Sequence, residues 1–552
     1  MAGTRAAFFA MARDRTLRRV AAALALYRLA EFGPWVAMLV FAYSRGGATA
    51  TGIVSLALLS PTSLFAPFAG PLIDRFGASR VLLGGYASQA AAMSATAASL
   101  LAGAPAPLTY CLGALTAMVL TITHPAHAVV SPGIARTTEQ LVALNAVTGW
   151  ILSVGLVVAP ACAGMILGIS TPGAVYAAGA VCVALAAVLV VPLRDLVSPL
   201  ARDDDAEAGA VGQLVEGARA LTQSSGSREV VLVFVATFMM VGAFDVLAVV
   251  LAVGSLHIGG SGAGYLTATH GIGAVVGAVA SFALLARARL VPVMLAAALI
   301  AGIAFLTLAF ATTLVVAFAV AAVSGVSRSM LEVTGQTLLQ RVTPTALLAR
   351  VFAFKEGLAM AAWGIGSIAV PAVIAVTDRR GALIFAGAIV PLLMLLRLRP
   401  LLAVDAGVTV PAVTVALLRS MHVFRAMPVP ALEGVAQTAT NLSVPAGDEI
   451  LRQGEQGDRY YAIADGTVEV RKDGRPVKTL ERGEGFGEIA LLHGVARNAT
   501  VVALTDTRLV TVDREPFLVA LTGHAQTRER LEHVASQRLT ADDPKPAPSS
   551  VA

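Results

Sequence analysis

Charged residues are scarce in this sequence. Asp, Glu, Lys and Arg make up 13% of its 552 residues, hydrophobic residues make up 57%, and the mean hydropathy is +0.78. Soluble globular domains carry about 25% charged residues, so the composition excludes an ordinary soluble protein over most of the chain. Cysteine is rare as well. Cys111, Cys162 and Cys182 lie inside apolar runs without a CxxC pattern, which indicates small core residues rather than a disulfide framework.

Catalytic signatures are also missing. The chain has no GxSxG, P-loop or HExxH pattern, so the sequence predicts neither an enzyme nor a bound metal or cofactor. Residues 271–277 are glycine-rich, but they lie inside an apolar run, and Gly273 and Gly277 predict close packing of helices. The net charge of +6 does not indicate a nucleic-acid partner, because the arginines cluster in short loops between apolar runs.

Repeated apolar runs dominate the first two thirds of the chain. A helix needs about 20 apolar residues to cross a bilayer, so these runs predict an α-helical polytopic membrane protein with the lipid bilayer as a partner. The twelve candidate spans lie near 19–43, 49–71, 81–103, 107–129, 141–168, 172–193, 229–253, 262–285, 290–311, 312–334, 347–376 and 380–397.

The distribution of arginine predicts the orientation of these spans. Loops after even-numbered spans carry most of the arginines, such as Arg75, Arg136 and Arg287, whereas loops after odd-numbered spans carry few. Since cytoplasmic loops are enriched in Lys and Arg, both termini are expected on the cytoplasmic side of a plasma (inner) membrane. The basic N-terminus leads straight into a full-length span, so no cleavable signal peptide is expected.

Changes in composition predict the domain organisation. A polar stretch splits the apolar part into six plus six spans, the plan expected of a secondary transporter with a site near the midplane. The predicted parts are a basic N-terminus (1–18), a first transmembrane half (19–193), a central cytoplasmic loop (194–228), a second transmembrane half (229–397), a linker with a helical lead-in (398–440), a strand-rich domain (441–540) and a disordered tail (541–552).

The loop after the second span carries a specific pattern. Residues 70–80 read GPLIDRFGASR, in which Gly77 permits a tight turn between two helices and Asp74 can pair with Arg75 or Arg80. The pattern is similar to the signature loop of the major facilitator superfamily, G-x-x-x-D-R-x-G-x-x-R, and its gating motif would comprise Gly70, Asp74, Arg75, Gly77 and Arg80.

Two stretches around the fifth span resemble exporters of the same superfamily. Residues 155–164 are similar to the Gly-Pro motif of facilitator-type exporters, with Ala159 and Ala163 in place of two of its glycines, and residues 140–146 resemble the same place in the drug and siderophore exporter branch. The resemblance implies a facilitator fold of twelve helices in two halves and a secondary active transporter, with export as the expected direction. A proline and small residues that let helices approach and bend are the alternative explanation of 155–164.

Four ionisable residues are expected at membrane depth: Arg28, Glu31, Asp245 and His270. Charged groups there are costly and mark functional sites. Arg28 and Glu31 lie three residues apart on one helix face, where they can form an ion pair. Glu31, with Asp245 as second choice, is the predicted carrier of a coupling proton. A purely structural pairing is the alternative.

Short strands with glycine turns follow residue 441 and predict a β-roll or jelly roll. Within it, residues 485–500 read GFGEIALLHGVARNAT. Gly487 lets the backbone approach a ligand, Arg497 offers a planar fork that fits a phosphate, and Glu488 offers an acceptor for a sugar hydroxyl. Together with nearby backbone amides, these groups predict a site for a ribose-phosphate ligand.

This stretch closely resembles the phosphate-binding cassette of cyclic nucleotide-binding domains, and the resemblance covers residues 420–540. It implies that Glu488 binds the ribose 2′-hydroxyl and that Arg497 binds the cyclic phosphate. In the alternative interpretation, a degenerate β-roll, these two residues only pair with each other. The last helix, near Leu531 or Val534, is expected to cover the base. The implied binding set is Gly487, Glu488, Ile489, Ala490, Arg497, Asn498 and Ala499.

The resemblance has two departures. Many relatives have proline before the arginine, where this chain has Ala496. The residue after the arginine is often alanine in cAMP binders and threonine in cGMP binders of the kinase families, and here it is Asn498. Asn498 matches neither pattern and does not decide between the two nucleotides. cAMP is the favoured regulatory ligand, with cGMP open.

The two resemblances together predict a secondary active transporter, an exporter of a small molecule with protons as candidate coupling ions, regulated allosterically by cytoplasmic cyclic nucleotide. One alternative is a membrane-anchored cyclic nucleotide sensor that does not transport. Another is an exporter of the nucleotide itself. The transported substrate does not follow from the sequence, because fold does not fix function.

Overall fold

The chain consists mostly of helices and ends in a domain of β-sheet. The structure, a computed structural model, divides into two compact units, Met1–Asp405 and Ala406–Ala552. It describes residues 14–65, 69–134, 138–193, 218–219, 221, 224–284, 289–310, 313–343, 345–407, 412–421, 424, 427, 429–493 and 495–522. The predicted tail, the candidate lid residues Leu531 and Val534, and most of the predicted N-terminus and central loop lie outside these residues.

The first unit is built from helices joined by short connections. They are α1 (Arg15–Phe65), α2 (Ala69–Phe76), α3 (Ala78–Leu101), α4 (Ala106–Ile134), α5 (Thr138–Ile169), α6 (Pro172–Val190), α7 (Ser225–Gly254), α8 (Gly259–Leu284), α9 (Val291–Phe310), α10 (Leu314–Val342), α11 (Thr345–Val376) and α12 (Arg379–Leu396), with α13 (Leu398–Gly407) at the end.

Helix α1 contains a break. Its 51 residues would extend about 77 Å as one straight helix, more than twice the thickness of a bilayer core. Gly46 and Gly47 have non-helical backbone angles, and Gly47 has a φ of +60° that favours glycine. The element therefore has two arms, which correspond to the first two predicted spans.

Ten helices in the described part of the first unit are long and apolar enough to cross a membrane, by length and composition alone. One of these ten candidates, Arg15–Thr62, includes both arms of α1. Helix α3 lies where the third span is predicted but is not among the ten, since Gln89 and several serines lower its hydropathy. The prediction of twelve spans in a facilitator fold therefore stays a prediction.

Glycines bring the helices of the first unit close together. A Cβ at Gly273 would lie 1.9 Å from the carbonyl oxygen of Ala322, and a Cβ at Gly277 would lie 2.4 Å from that of Val326. Helices α8 and α10 therefore touch backbone to backbone, as the spacing of the two glycines predicts.

The residues that resemble the facilitator signature loop form α2 and the turn after it. Gly77 has a φ of +83° and separates α2 from α3, so the predicted tight turn is present. Gly70, Asp74 and Arg75 lie within the short helix α2, where the sequence analysis expected a loop. The side chain of Asp74 lies outside the described part, and its predicted pairing stays untested.

The second unit contains two four-stranded antiparallel sheets. Their orders are β1-β8-β3-β6 and β2-β7-β4-β5. The elements are helices α14 (Ala412–Ser420) and α15 (Val429–Thr438), strands β1 (Thr440–Val444), β2 (Glu449–Leu451), β3 (Arg459–Asp465), β4 (Val468–Lys472), β5 (Arg475–Leu480) and β6 (Gly485–Phe486), helix α16 (Glu488–His493), strands β7 (Thr500–Ala503) and β8 (Thr507–Asp513), and helix α17 (Arg514–Thr522).

Aromatic side chains join the helices of this unit to its sheet. Tyr460 of β3 stacks on Phe517 of α17 with ring centroids 4.8 Å apart, and Phe424 packs edge-on against both rings. All three side chains are fully buried. Phe424 belongs to the predicted helical lead-in, so this segment contributes to the core of the β domain.

Candidate functional site

The predicted binding set, Gly487 to Ala499, lies between strands β6 and β7. Phe486 of β6 pairs with Tyr461 of β3, and their rings stack 5.1 Å apart. Gly487 follows with a φ of +94°, a conformation that L side chains rarely adopt, and the chain then enters α16. A Cβ at Gly487 would lie 2.7 Å from Nη1 of Arg497, so both the backbone angle and the available space favour glycine.

Arg497 is held by backbone carbonyl groups. Its Nη1 donates to the carbonyl oxygen of Gly487 over 2.9 Å, and its Nη2 donates to that of Arg459 over 2.8 Å. The residue is 5% exposed. Its ion pair with Asp458 is long, at 3.9 Å, and the Asp458 side chain is 76% exposed, so this pair neutralises little of the charge.

Burial affects the electrostatics of this group. It lowers the pKa of the Arg497 guanidinium from its ordinary value, while Tyr461, Asp458 and Glu488 act in the opposite direction. A guanidinium stays charged at physiological pH even so. The fold therefore holds a cation in a largely dehydrated place, which is the arrangement that stabilises a bound anion.

The loop before β3 forms backbone hydrogen bonds with Arg497. The Arg497 amide donates to the carbonyl oxygen of Glu455 over 2.7 Å, and its own carbonyl oxygen accepts from the Gly454 amide over 2.8 Å. A Cβ at Gly457 would lie 3.0 Å from Cζ of Arg497. These contacts fix the segment that contains Ala496, although the proline found in many relatives is absent.

Glu488 is the first residue of α16 and is 2% exposed. It shares a cavity of about 250 Å³ with the arginine. All seven residues of the predicted binding set line this cavity: Gly487, Glu488, Ile489, Ala490, Arg497, Asn498 and Ala499. The strands add the apolar side chains of Leu451, Val470, Val477, Leu480, Phe486 and Val501. Lys478 of β5 also lines the cavity.

Strand β3 contributes contacts to the site that the sequence does not predict. The Arg459 carbonyl oxygen binds the Arg497 fork, and Tyr461 lies beneath the guanidinium, whose Cζ is 5.9 Å from the ring centroid. Lys478 of β5 lines the cavity and was also missed. It donates to Glu484 over 3.0 Å. No local pattern marks these residues, because they are 19 or more positions from Arg497 and reach it only through the sheet.

The first unit contains the four ionisable residues predicted at membrane depth. Arg28 donates a hydrogen bond to Glu31, as their spacing predicts. The structure adds His124 of α4, whose Nε2 lies 3.0 Å from Oε1 of Glu31. The sequence offered one signal for it: His124 and His127 are three residues apart and so share a helix face.

Asp245 lies in a separate cluster. Its Oδ2 accepts hydrogen bonds from the indole nitrogens of Trp35 (3.1 Å) and Trp363 (2.9 Å), which belong to α1 and α11. Trp35 lies one turn beyond Glu31 on α1. This helix therefore carries one acidic group, Glu31, and contacts the other, Asp245, through Trp35. His270 belongs to neither cluster. It lies in α8, where it is hydrogen-bonded to Ser324 over 2.9 Å and its ring stacks on Phe244.

Comparisons with known proteins assign the second unit. Residues 441–524 match the family model for the cyclic nucleotide-binding domain. A cAMP-dependent protein kinase regulatory subunit from Schizosaccharomyces pombe is 43% identical over 84 residues, which are 15% of this chain and 20% of that protein. Another from Debaryomyces hansenii is 34% identical over 128 residues, 23% of this chain and 26% of that protein. The chain thus spans about a quarter or less of the length of these relatives.

Solved structures are similar to part of the chain. The regulatory domain of Toxoplasma gondii PKA, crystallised with cAMP, is 25% identical, with a TM-score of 0.23. The match covers 25% of this chain and 55% of that one. The family match covers residues 441–524, which include the cassette. This C-terminal segment is a cyclic nucleotide-binding domain.

Proposed function

We propose that the protein is a secondary active transporter whose activity is controlled by cAMP bound to its C-terminal domain. The observation that carries the regulatory part is Arg497, a buried guanidinium held by two backbone carbonyl groups in a cavity that it shares with Glu488. Such a fork binds a phosphate through paired charge-assisted hydrogen bonds. Glu488 would accept a hydrogen bond from the ribose.

The choice of cAMP follows from the relatives. The yeast proteins that share 34% to 43% identity with this domain are named cAMP-dependent protein kinase regulatory subunits. Their identity covers 84 and 128 residues, 15% and 23% of this chain, so the similarity supports cAMP as the ligand of a part of the chain and not the function of the whole. cGMP is the competing ligand.

Three features of the first unit support transport. Ten described helices meet the length and apolarity of membrane spans. Polar clusters around Glu31 and Asp245 lie within the bundle. Backbone-close contacts join the two predicted halves: a Cβ at Gly52 would lie 2.7 Å from the Ser367 carbonyl oxygen, and one at Gly271 would lie 2.3 Å from that of Leu156. Small residues let helices approach closely, and in secondary transporters alternating access occurs by motion of one half against the other.

The segment from Arg397 to Asp405, where the chain leaves the bundle, is held by hydrogen bonds near both of its ends. These bonds offer a route for regulation. The Asp405 carboxylate accepts hydrogen bonds from the amides of Leu290 (2.9 Å) and Val291 (3.3 Å) at the start of α9. At the start of the same segment, Arg397 donates to Glu229 of α7 over 2.8 Å. A force on the chain beyond Asp405 would therefore act directly on α9. Regulation requires that the nucleotide bind the two transport states with different affinity.

Transport in inverted membrane vesicles tests the proposal. Energised vesicles containing the full-length protein would be offered a panel of labelled compounds and labelled cAMP, each with and without unlabelled cAMP, beside the Arg497→Ala variant. The proposal predicts uptake of a compound other than cAMP that responds to cAMP in the wild type only. Uptake of labelled cAMP alone would identify a nucleotide exporter. Binding of cAMP without uptake of any compound would favour a sensor.

A further inference from the structure

Asp245 of α7 presents a carboxylate between two tryptophans. Its Oδ2 accepts hydrogen bonds from the indole nitrogens of Trp35 (3.1 Å) and Trp363 (2.9 Å). The two indole rings meet edge to face, with centroids 5.8 Å apart. Trp35 lies in the first predicted half of the bundle, and the other two residues lie in the second. The group therefore joins the two halves, and a secondary transporter binds its substrate between such halves.

The charge of this carboxylate has no direct counter-ion. An indole N–H is a neutral donor, so the two tryptophans position the carboxylate without neutralising it. Among the described residues, no Lys, Arg or His forms an ion pair with Asp245. Arg328 of α10 acts on it from a longer distance and pairs with Glu332 at 3.7 Å. When all three groups are ionised, they carry one net negative charge. Such a charge is costly inside a bilayer and marks a functional site.

The Asp245 side chain is also accessible. In the stretch of α7 from Met240 to Ala252 it is the one residue that is not buried, and Trp35 and Trp363 are half-buried as well. Among the described residues, no hydrogen bond involves Oδ1 of Asp245, so this oxygen can accept one from a ligand. Phe238 adds a further aromatic ring, whose centroid lies 6.2 Å from that of Trp363.

Contacts between the helices hold these side chains in place. Ser55 of α1 donates to Ser367 of α11 over 2.8 Å, and Ser367 donates to the Gly242 carbonyl oxygen of α7 over 3.2 Å. A Cβ at Gly242 would lie 2.0 Å from the carbonyl oxygen of Trp363. Helices α1, α7 and α11 therefore meet within one turn of Asp245. A site fixed in this way loses little entropy when a ligand binds.

We propose that Trp35, Asp245 and Trp363 form a binding site for an organic ammonium ion, the class of compound that the transporter carries. The ammonium group would donate to Oδ1 of Asp245, and its charge would compensate that of the carboxylate. The indole rings attract a cation through their π faces and offer apolar surface to the carbon groups beside it. A neutral compound of the same shape would leave the carboxylate uncompensated. This inference rests on the proposed transport function for its purpose, whereas binding is measurable without transport.

Intrinsic tryptophan fluorescence tests the inference, because the sequence has three tryptophans and two of them belong to the site. The third, Trp150, is 66% exposed and is removed by Trp150→Phe, which serves as the parent of every variant. The full-length parent in detergent would be titrated with hexylammonium chloride at neutral pH, and separately with hexanol, which has the same carbon chain without the charge. Hexylammonium should change the fluorescence saturably, whereas hexanol should not.

Substitution of Asp245 separates its charge from its contacts with the helices. Asp245→Asn keeps an oxygen that can accept from both indoles but removes the charge. It should raise the hexylammonium concentration at half-saturation by about tenfold or more, the value of a hydrogen bond to a charged group. Asp245→Glu keeps the charge and should bind more tightly than Asp245→Asn. Glu356→Gln is the matched control, because Glu356 of α11 is 58% exposed and pairs with Lys355 at 2.8 Å. It should leave the titration unchanged.

Three results would overturn the proposal: no response of the parent to hexylammonium, an equal response to hexanol, or the same half-saturation concentration in the parent and in Asp245→Asn. Each would make the tryptophan–carboxylate group a structural contact between helices. None of them bears on the uptake of labelled compounds by vesicles or on its response to cAMP. Failure here is therefore distinguishable from failure of the proposed function.

Discussion

Nη1 of Arg497 donates a hydrogen bond to the backbone carbonyl oxygen of Gly487 over 2.9 Å, across the floor of the nucleotide cavity. The contact joins the two ends of the cassette, since Gly487 opens it and Arg497 lies near its close. The hydrogen bond also fixes the position of the Arg497 guanidinium before a ligand binds, which reduces the entropy lost on binding.

Replacing Arg497 with alanine should weaken cAMP binding by about 30-fold or more, because truncating one partner of a buried charge-assisted pair costs roughly 2–5 kcal/mol. Arg497→Lys should recover only part of this loss, since an ammonium lacks the planar fork. Fluorescence competition on the full-length protein measures both. Arg452→Ala is the control, because Arg452 is 68% exposed and pairs with Glu449 on the surface. Equal affinities in Arg452→Ala and Arg497→Ala would contradict the assignment.

Alanine at Gly487 should destabilise the domain and reduce binding together. The left-handed backbone costs about 1–2 kcal/mol with a Cβ, and the new Cβ would press on Arg497. Gly447→Ala separates these effects: Gly447 has a φ of +97° with nothing within 4 Å of its Cβ position. Thermal melting and nucleotide affinity should both fall in Gly487→Ala, whereas Gly447→Ala should lower only the melting temperature. A Gly487→Ala protein that binds cAMP normally would refute the proposed role.

Glu488→Gln should weaken cAMP binding by roughly 10- to 100-fold, the value of a hydrogen bond to a charged group. If the partner is the ribose 2′-hydroxyl, the wild type should bind 2′-deoxy-cAMP with a similar loss. The variant should then discriminate little between the two nucleotides. Measuring all four affinities completes a double-mutant cycle. Additive losses would show that Glu488 and the 2′-hydroxyl do not interact.

Asp405→Ala should remove the hydrogen bonds between the first turn of α9 and the segment from Arg397 to Asp405. Loss of a helix cap costs about 0.5–2 kcal/mol, so hydrogen exchange at the amides of Leu290 and Val291 should accelerate. The effect of cAMP on that exchange should disappear, with cAMP affinity unchanged. Asp378→Ala is the matched control, because Asp378 caps α12 through the Gly381 amide over 2.8 Å. A normal cAMP response in Asp405→Ala would exclude this route of regulation.

The cassette pattern can be recognised in the sequence because its chemistry is local. Gly487, Glu488 and Arg497 lie within 11 positions of one another, and the fold that presents them is marked by glycine turns and short alternating strands. The structure contains short strands from Thr440 to Asp513, where the sequence predicts a strand-rich domain, and the shortest of those described is the two-residue strand β6. Such a short strand carries no periodicity of its own.

Long-range partners escaped the sequence for a physical reason. His124 is 93 positions from Glu31, and Trp363 is 118 positions from Asp245. His124 shares a helix face with His127, but neither a histidine nor a tryptophan in an apolar helix has a pattern that names its partner, because the contact depends on how helices pack. Glu31 and Asp245 were identifiable because a charge inside an apolar run is costly. Their neighbours were visible only in three dimensions.

The most direct test of the account is calorimetric titration of cAMP, and separately of cGMP, into the purified full-length protein in detergent, beside Arg497→Ala. The account predicts micromolar or tighter binding of cAMP at one site per chain, weaker binding of cGMP, and loss of both in the variant. Absence of binding by the folded wild type, or equal binding by Arg497→Ala, would contradict it.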